Sequence, residues 1–309
     1  MENKVIIFYH RVDYDGLFSC AIVEHYVRKE LGIQEVITKG WTYGDPRPSL
    51  PEIKEGESCL VFLVDISFPP EDMLSLKNLG GYKVVWIDHH ISAIDSSKEL
   101  GYDDLEGVRR LGVGACELCW NYLHNNITAP KSIRLISAYD VWNKDRFSWD
   151  KETVAFQLGL KTQYGVVYNS INQVFEKLIE KDSRLTADII ESGKTINTYN
   201  QKRHKTAVGT YGFPVLVAGK YRGICMLTSE FGSQQFNSVI NNYDITICVN
   251  KRDVAEGRPF AISMYSESET GLNLADYMKE NFCGGGHKTA AGGSMTRDQF
   301  LQLIDTHTI

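Results

Sequence analysis

Short apolar runs dominate the first part of the chain, and several of them are too compact for a helix. Lys4-Val5-Ile6-Ile7-Phe8-Tyr9, Cys59-Leu60-Val61-Phe62-Leu63-Val64 and Tyr82-Lys83-Val84-Val85-Trp86-Ile87 are rich in β-branched and aromatic residues and hardly alternate with polar ones. Uninterrupted strands of this kind belong to a parallel sheet covered by helices on both faces. A helical period follows the first run, from Gly16 to about Leu31, and another fills Gly114–Leu123. Ser132–Asp140 is a further apolar-spaced segment. The α/β texture continues to about Asp182, and a charged helical stretch without strand signal then covers about Arg184–Lys205. Beyond it, strand runs such as Pro214–Ala218 and Tyr243–Val249 alternate with helical patterns. The pattern predicts an α/β protein of two domains: 1–182 with the parallel sheet, a helical linker 183–206, and a smaller mixed domain 207–309.

At 309 residues the chain is long enough for two separate cores. Its 33 Lys plus Arg against 39 Asp plus Glu give a net charge of −6. No strong basic field exists to hold a long polyanion, so a nucleic-acid substrate is expected to be short. No stretch approaches the roughly 18–20 apolar residues of a membrane span, and Met1-Glu2-Asn3-Lys4 has no apolar signal core. The expected location is cytoplasmic, without membrane partners. Seven irregularly spaced cysteines fit reduced thiols. Cys116 and Cys119 form a C-x-x-C inside a helical apolar pattern, which points to the core rather than to redox or zinc chemistry.

The chemistry gathers where the apolar runs stop. Tyr9-His10-Arg11-Val12-Asp13-Tyr14-Asp15-Gly16 follows the first run, Asp65 the second, Asp88-His89-His90 the third, and Asp140 closes the segment begun at Ser132. In open α/β sheets ligands bind outside the carboxyl ends of the strands, so these residues are expected at one site. A single Asp after a strand is an ordinary helix N-cap, and a lone His is an ordinary core or surface residue. Four aspartates converging are harder to explain that way, because they repel one another unless a cation neutralises them. Carboxylates and imidazoles without cysteine are hard donors suited to Mn2+ or Mg2+. A metal-dependent hydrolase follows. Arg110, with Arg109, precedes Gly112-Val113-Gly114 and can face phosphate, although such arginines are commonly solvated. Gly284-Gly285-Gly286-His287 permits close approach to an anion, and Thr289-Ala290-Ala291 is expected to open a helix whose N–H groups point at phosphate.

The triplet Asp88-His89-His90, with Asp13-Tyr14-Asp15-Gly16, Asp65 and Asp140, resembles the motifs of the DHH phosphoesterase superfamily. The tail Gly284–Gly292 resembles the glycine-rich signature of its companion DHHA1 domain, so the likeness covers the whole chain. That family includes nanoRNases, cyclic-dinucleotide and pAp phosphodiesterases, single-strand exonucleases and polyphosphatases. The resemblance implies a DHH domain and a DHHA1 domain with the active site in the cleft between them, and two Mn2+ ions. His10 and Asp13 would hold one ion, Asp15, His89 and Asp140 the other, and Asp65 would bridge them. Asp88 would orient His89, His90 would face the scissile phosphate, and Gly284, Gly285, Gly286 and His287 would bind the far phosphate of the substrate.

Three departures accompany the likeness. Only Arg11 and Val12 separate His10 from Asp13, Cys283 stands where a fourth glycine often lies, and Tyr265 occupies the place of an Arg common in nucleotide-cleaving members. The expected activity is hydrolysis of a phosphodiester or phosphomonoester in a short oligonucleotide or linear dinucleotide, by water activated between two divalent ions. Asp65, Asp88 and His90 would be its catalytic residues, the last acting on the leaving group. An exopolyphosphatase or pAp phosphatase is the enzymatic alternative, and a non-catalytic metal- or nucleotide-binding module the alternative of another class. The chain admits a homodimer.

Overall fold

The computed structural model describes residues 4–43, 45–54, 56–230, 232–266 and 271–309, with backbone only at 180–183 and 253–254. Met1, Glu2 and Asn3 of the opening tetrad lie outside the described residues. Two compact units divide the chain, Met1–Asn197 and Thr198–Ile309.

In the first unit β1 (Lys4–His10), β2 (Val36–Trp41), β3 (Cys59–Val64) and β4 (Tyr82–Ile87) form a parallel sheet in the order β2-β1-β3-β4. The helices are α1 (Tyr14–Lys29), α2 (Pro70–Lys77), α3 (Ile91–Leu100), α4 (Ala115–Leu123), α5 (Lys131–Asp140) and α6 (Val154–Tyr164), with a π turn at Trp149–Thr153 ahead of the last. Alternate strand residues serve two cores, which is why the strands read as unbroken apolar runs. Val5, Ile7, Phe62, Val64, Val85 and Ile87 pack under α1, α4, α5 and α6, whereas Ile6, Phe8, Val61, Leu63 and Trp86 meet Met73 and Leu76 of α2 and Ala93 of α3. Each buried Val, Leu, Ile, Phe or Met among them contributes about 1.5–3 kcal/mol before the ordering entropy is counted. The order of strands carries all three chemistry-bearing run ends to one edge of the sheet.

The charged stretch read as a linker belongs to a longer helix, α7 (Tyr168–Tyr211). Ile171, Val174, Phe175 and Leu178 explain its earlier start, because at helical spacing they enter the first core. The unit boundary at Asn197 and Thr198 falls inside this helix.

The second unit holds β5 (Phe213–Val217), β6 (Tyr221–Leu227), β7 (Ile245–Ala255), β8 (Arg258–Tyr265), β9 (Gly285–His287) and β10 (Ala290–Met295) in one mixed sheet, order β5-β6-β7-β8-β10-β9. The β6–β7 pairing is parallel, and the other strand pairings among the described residues of this sheet are antiparallel. Leu274, Met278 and Phe282, spaced along one face of α8 (Leu274–Phe282), cover one side of the sheet together with Leu303 of α9 (Arg297–Thr306). A capping box between Thr296 and Gln299 starts α9.

One expectation fails here. Thr289-Ala290-Ala291 does not open a helix: Ala290 begins β10, which pairs with β8 and folds back on β9. The backbone groups of this segment are taken by strands on both sides, which overrides a local helical preference. Two of the glycines are required by the hairpin itself. A Cβ on Gly284 would stand 2.0 Å from the carbonyl oxygen of Gly292, and one on Gly286, whose φ is +144°, would stand 2.6 Å from that of Ala290. Gly285 has open space. Among the described residues no helix is long and apolar enough to cross a membrane.

Candidate metal centre

His10 ends β1, and the chain then turns at once into α1. Asp13 is the N-cap of that helix, accepting from the Gly16 N–H at 3.0 Å. The turn is so tight that a Cβ on Gly16 would lie 2.0 Å from the His10 carbonyl oxygen. Asp15, in the first turn of α1 and 1% exposed, reaches across to the start of α4. Its two oxygens accept from the N–H groups of Ala115 at 2.6 Å and Cys116 at 2.9 Å, so a carboxylate of one helix caps another. Gly114 makes room, since a Cβ there would stand 2.9 Å from an Asp15 oxygen.

Asp65 follows β3 and is 1% exposed. Its φ of +59° lies in the left-handed region, which aspartate and asparagine tolerate better than other side-chain-bearing residues and which turns the carboxylate off the end of the strand. One of its oxygens faces His10 Nδ1 at 3.7 Å and the other faces His89 Nε2 at 3.1 Å. His10 Nδ1 also lies 2.8 Å from Asp13 Oδ2, and His89 Nε2 lies 3.2 Å from Asp140 Oδ2 and 3.5 Å from Asp15 Oδ2. Asp140 is the last residue of α5, where the helix dipole makes a carboxylate unfavourable unless positive charge is near. The expected ligand residues thus come together as two groups, His10-Asp13-Asp65 and Asp15-His89-Asp140, each with donor atoms within 4.8 Å of one another. Asp65, His89 and His90 form a third such group.

The charges in this cluster are badly matched without a cation. Burial, then the Asp15 carboxylate, pushes Asp65 well above the ordinary carboxylate range. Burial, Asp15 and Asp65 do the same to Asp140. Burial works against charge on His10, but the carboxylates of Asp13 and Asp65 outweigh it and hold the ring up at about 10. Yet His10 Nδ1, fully buried, has no aligned hydrogen-bond partner among the described residues although two carboxylates surround it. An imidazole nitrogen aimed among carboxylates, with only oxygen and nitrogen donors nearby, fits a hard divalent cation.

Asp88, 0% exposed, differs from expectation. Its carboxylate accepts from the His90 ring at 2.7 Å, from the backbone N–H groups of His89 and His90 at 2.7 and 3.2 Å, and from the Trp86 indole at 3.2 Å. It therefore holds the ring of His90 and only the backbone of His89, because both backbone donors and the His90 ring close round the same oxygen. Burial opposes protonation of His90, and the Asp88 carboxylate prevails, raising its pKa.

Sequence reasoning missed β2 and with it two residues of the site. Thr42, just past that strand, places its hydroxyl 3.2 Å from His10 Nε2, and the Tyr43 ring lies 6.0 and 6.2 Å from the rings of His10 and His90. A half-exposed edge strand, Val36-Ile37-Thr38-Lys39-Gly40-Trp41, gives little apolar signal. Arg110 is exposed, and its backbone N–H donates to the Asp88 carbonyl at 3.2 Å. Arg109 instead spends its guanidinium on the carbonyl oxygens of Asp103, Leu105, Glu106 and Trp86. Cys116 and Cys119 are buried in α4, and burial raises both thiols. Gly284, Gly285, Gly286 and His287 lie in the second unit, the last three forming exposed strand β9.

No family model matches the chain, and no curated protein matches it. Solved structures do. The DHH domain of a protein assigned to a family of ribosomal proteins is similar over 99% of this chain and 85% of its own, at 15% identity and a TM-score of 0.56. The chain has the DHH fold. A pGpG-specific phosphodiesterase, PggH, from Vibrio cholerae shares that fold with it over 98% of this chain and 97% of its own, at 12% identity and a TM-score of 0.54. The second similarity spans both units, so the DHH fold here includes the parallel-sheet part and the mixed-sheet part in the expected order.

Proposed function

We propose that this protein is a phosphoesterase dependent on two divalent cations, with a short oligonucleotide or linear dinucleotide as substrate. The observation that carries the reading is the division of six residues into two donor groups with Asp65 between them, one of its oxygens turned to each. Bound there, Mn2+ or Mg2+ would supply Lewis acidity and a water ionised near neutral pH. Thr42 fixes the His10 ring so that Nδ1 faces the carboxylates, as a ligating imidazole requires. Asp88 holds His90 by Nδ1 and raises its pKa, which leaves the other ring nitrogen to give a proton to the departing oxygen. Arg110 is proposed to face phosphate, and His287 with the unobstructed Gly285 is proposed as a phosphate-binding strand of the second unit.

The pGpG specificity named for the Vibrio protein supports a linear dinucleotide. Tyr265, in place of an arginine that would position a nucleotide, favours inorganic polyphosphate as the second reading. Seven free cysteines suit a cytoplasmic, reducing setting. A panel of linear dinucleotide, short RNA, pAp and polyphosphate, each with Mn2+ and with Mg2+, tests the proposal. Cleavage of the dinucleotide or RNA that disappears with chelator is expected. Release of phosphate from polyphosphate alone would transfer the function to the second reading, and no turnover of any member would end it.

A further inference from the structure

The chain leaving α5 carries aromatic residues that the chemistry above does not use. Tyr139 precedes Asp140, Trp142 follows it by two residues, and Trp149 opens the π turn. The rings of Tyr139 and Trp149 are nearly parallel, 5° apart in plane with centroids 5.8 Å apart, and Trp142 stands edge-on to both at 5.6 and 5.0 Å. The Lys144 ammonium lies 5.8 Å from the Trp142 ring and 6.0 Å from that of Trp149.

Trp142 is the least expected member. The N–H of Asn143 returns to the Ala138 carbonyl at 2.8 Å and that of Trp142 to Tyr139 at 3.2 Å, which closes the end of α5 in the manner that calls for a left-handed residue. Glycine or asparagine usually fills this position, yet here an indole sits at φ +55° and is 41% exposed. The indole packs by its edges on Tyr139 and Trp149, yet a large part of its apolar surface stays in water on left-handed backbone. Strain of this sort persists at ligand clamps.

We infer that Tyr139, Trp142 and Trp149 form a platform on which a base of the substrate stacks while the adjoining phosphate lies at the Asp140 group. The inference rests on the phosphoesterase reading and selects nucleotides over polyphosphate, which has no π face to offer. Chain geometry permits it: two residues span at most about 7 Å, so the platform cannot be far from Asp140. Base–aromatic stacking tolerates any sequence, and Lys144 adds positive charge beside the rings for a flanking phosphate.

The test uses the full chain and two independent readouts. Equilibrium dialysis with AMP, without metal, measures stacking apart from turnover. Steady-state kinetics with Mn2+ then compares a linear dinucleotide with an abasic analogue. Trp142→Ala is expected to weaken AMP binding and to raise the dinucleotide KM by roughly 10-fold or more relative to the analogue, with kcat little changed. Trp142→Leu, which keeps an apolar side chain without a π face, should behave as the Ala variant does, and Trp142→Phe should restore most of the loss. Equal AMP binding by wild type and the Leu variant would overturn the platform, as would a KM that rises equally for dinucleotide and abasic analogue. Should the wild type bind AMP but cleave nothing, the phosphoesterase reading fails while the platform stands.

Discussion

Asp65 meets three demands at once. It is buried, sits on left-handed backbone, and turns an oxygen toward each donor group. Asp65→Asn keeps the shape and tolerates the positive φ, but it removes the charge that a cation needs. Hydrolysis is expected to fall by orders of magnitude, while the metal-free protein melts at the same temperature or higher near pH 8, because a repelled carboxylate is gone. A large drop in melting temperature without metal would show that Asp65 serves the fold instead. Thr42→Val is a gentler probe. Losing the hydroxyl that steadies His10 Nε2 should weaken Mn2+ affinity by about 10- to 100-fold. Unchanged affinity in a calorimetric titration would remove Thr42 from the site.

Among the elements, the glycine hairpin separates fold from ligand. Gly284→Ala drives a Cβ into the Gly292 carbonyl and should destabilise the second unit, whereas Gly285→Ala meets open space and should leave thermal unfolding within a degree or two of wild type. If Gly285→Ala also leaves the KM of every substrate unchanged, β9 binds no phosphate. The same hairpin shows where sequence reading ran out. Strands β1, β3 and β4 were legible because both of their faces are buried, and the acids behind them were legible because each ends such a run. The hairpin was not, since Thr289-Ala290-Ala291 has no strand character of its own and owes its form to β8 and β9. β2 escaped notice because an edge strand shows half its surface to water, and Thr42 and Tyr43 went with it. The partner of Asp88 depended on ring orientation, which no spacing encodes.

At the scale of the whole molecule, the site ties stability to pH. In the absence of metal, Asp65 and Asp140 are raised, so the folded chain holds protons that the unfolded chain releases above about pH 4. Their stabilising share is complete below that value and is lost as pH rises through the raised ones. His10 acts in the same sense: its share is complete below about 6.5 and is lost as pH climbs through about 10. Asp13, held low mainly by His10 against its burial, has the opposite sign, with a share present above the usual carboxylate value and lost only in acid. The urea midpoint of metal-free protein should therefore fall from mildly acidic to alkaline pH, and Mn2+ should reverse the trend by taking the place of the protons. A flat midpoint in both conditions would contradict the arrangement of charge described here. Asp15 adds a practical corollary through its hold on the first N–H groups of α4. Erasing that carboxylate would silence a would-be ligand and fray a neighbouring helix in one stroke, so an inert yet intact version of the protein is better sought at Asp140, which among the described residues guards no other element's beginning.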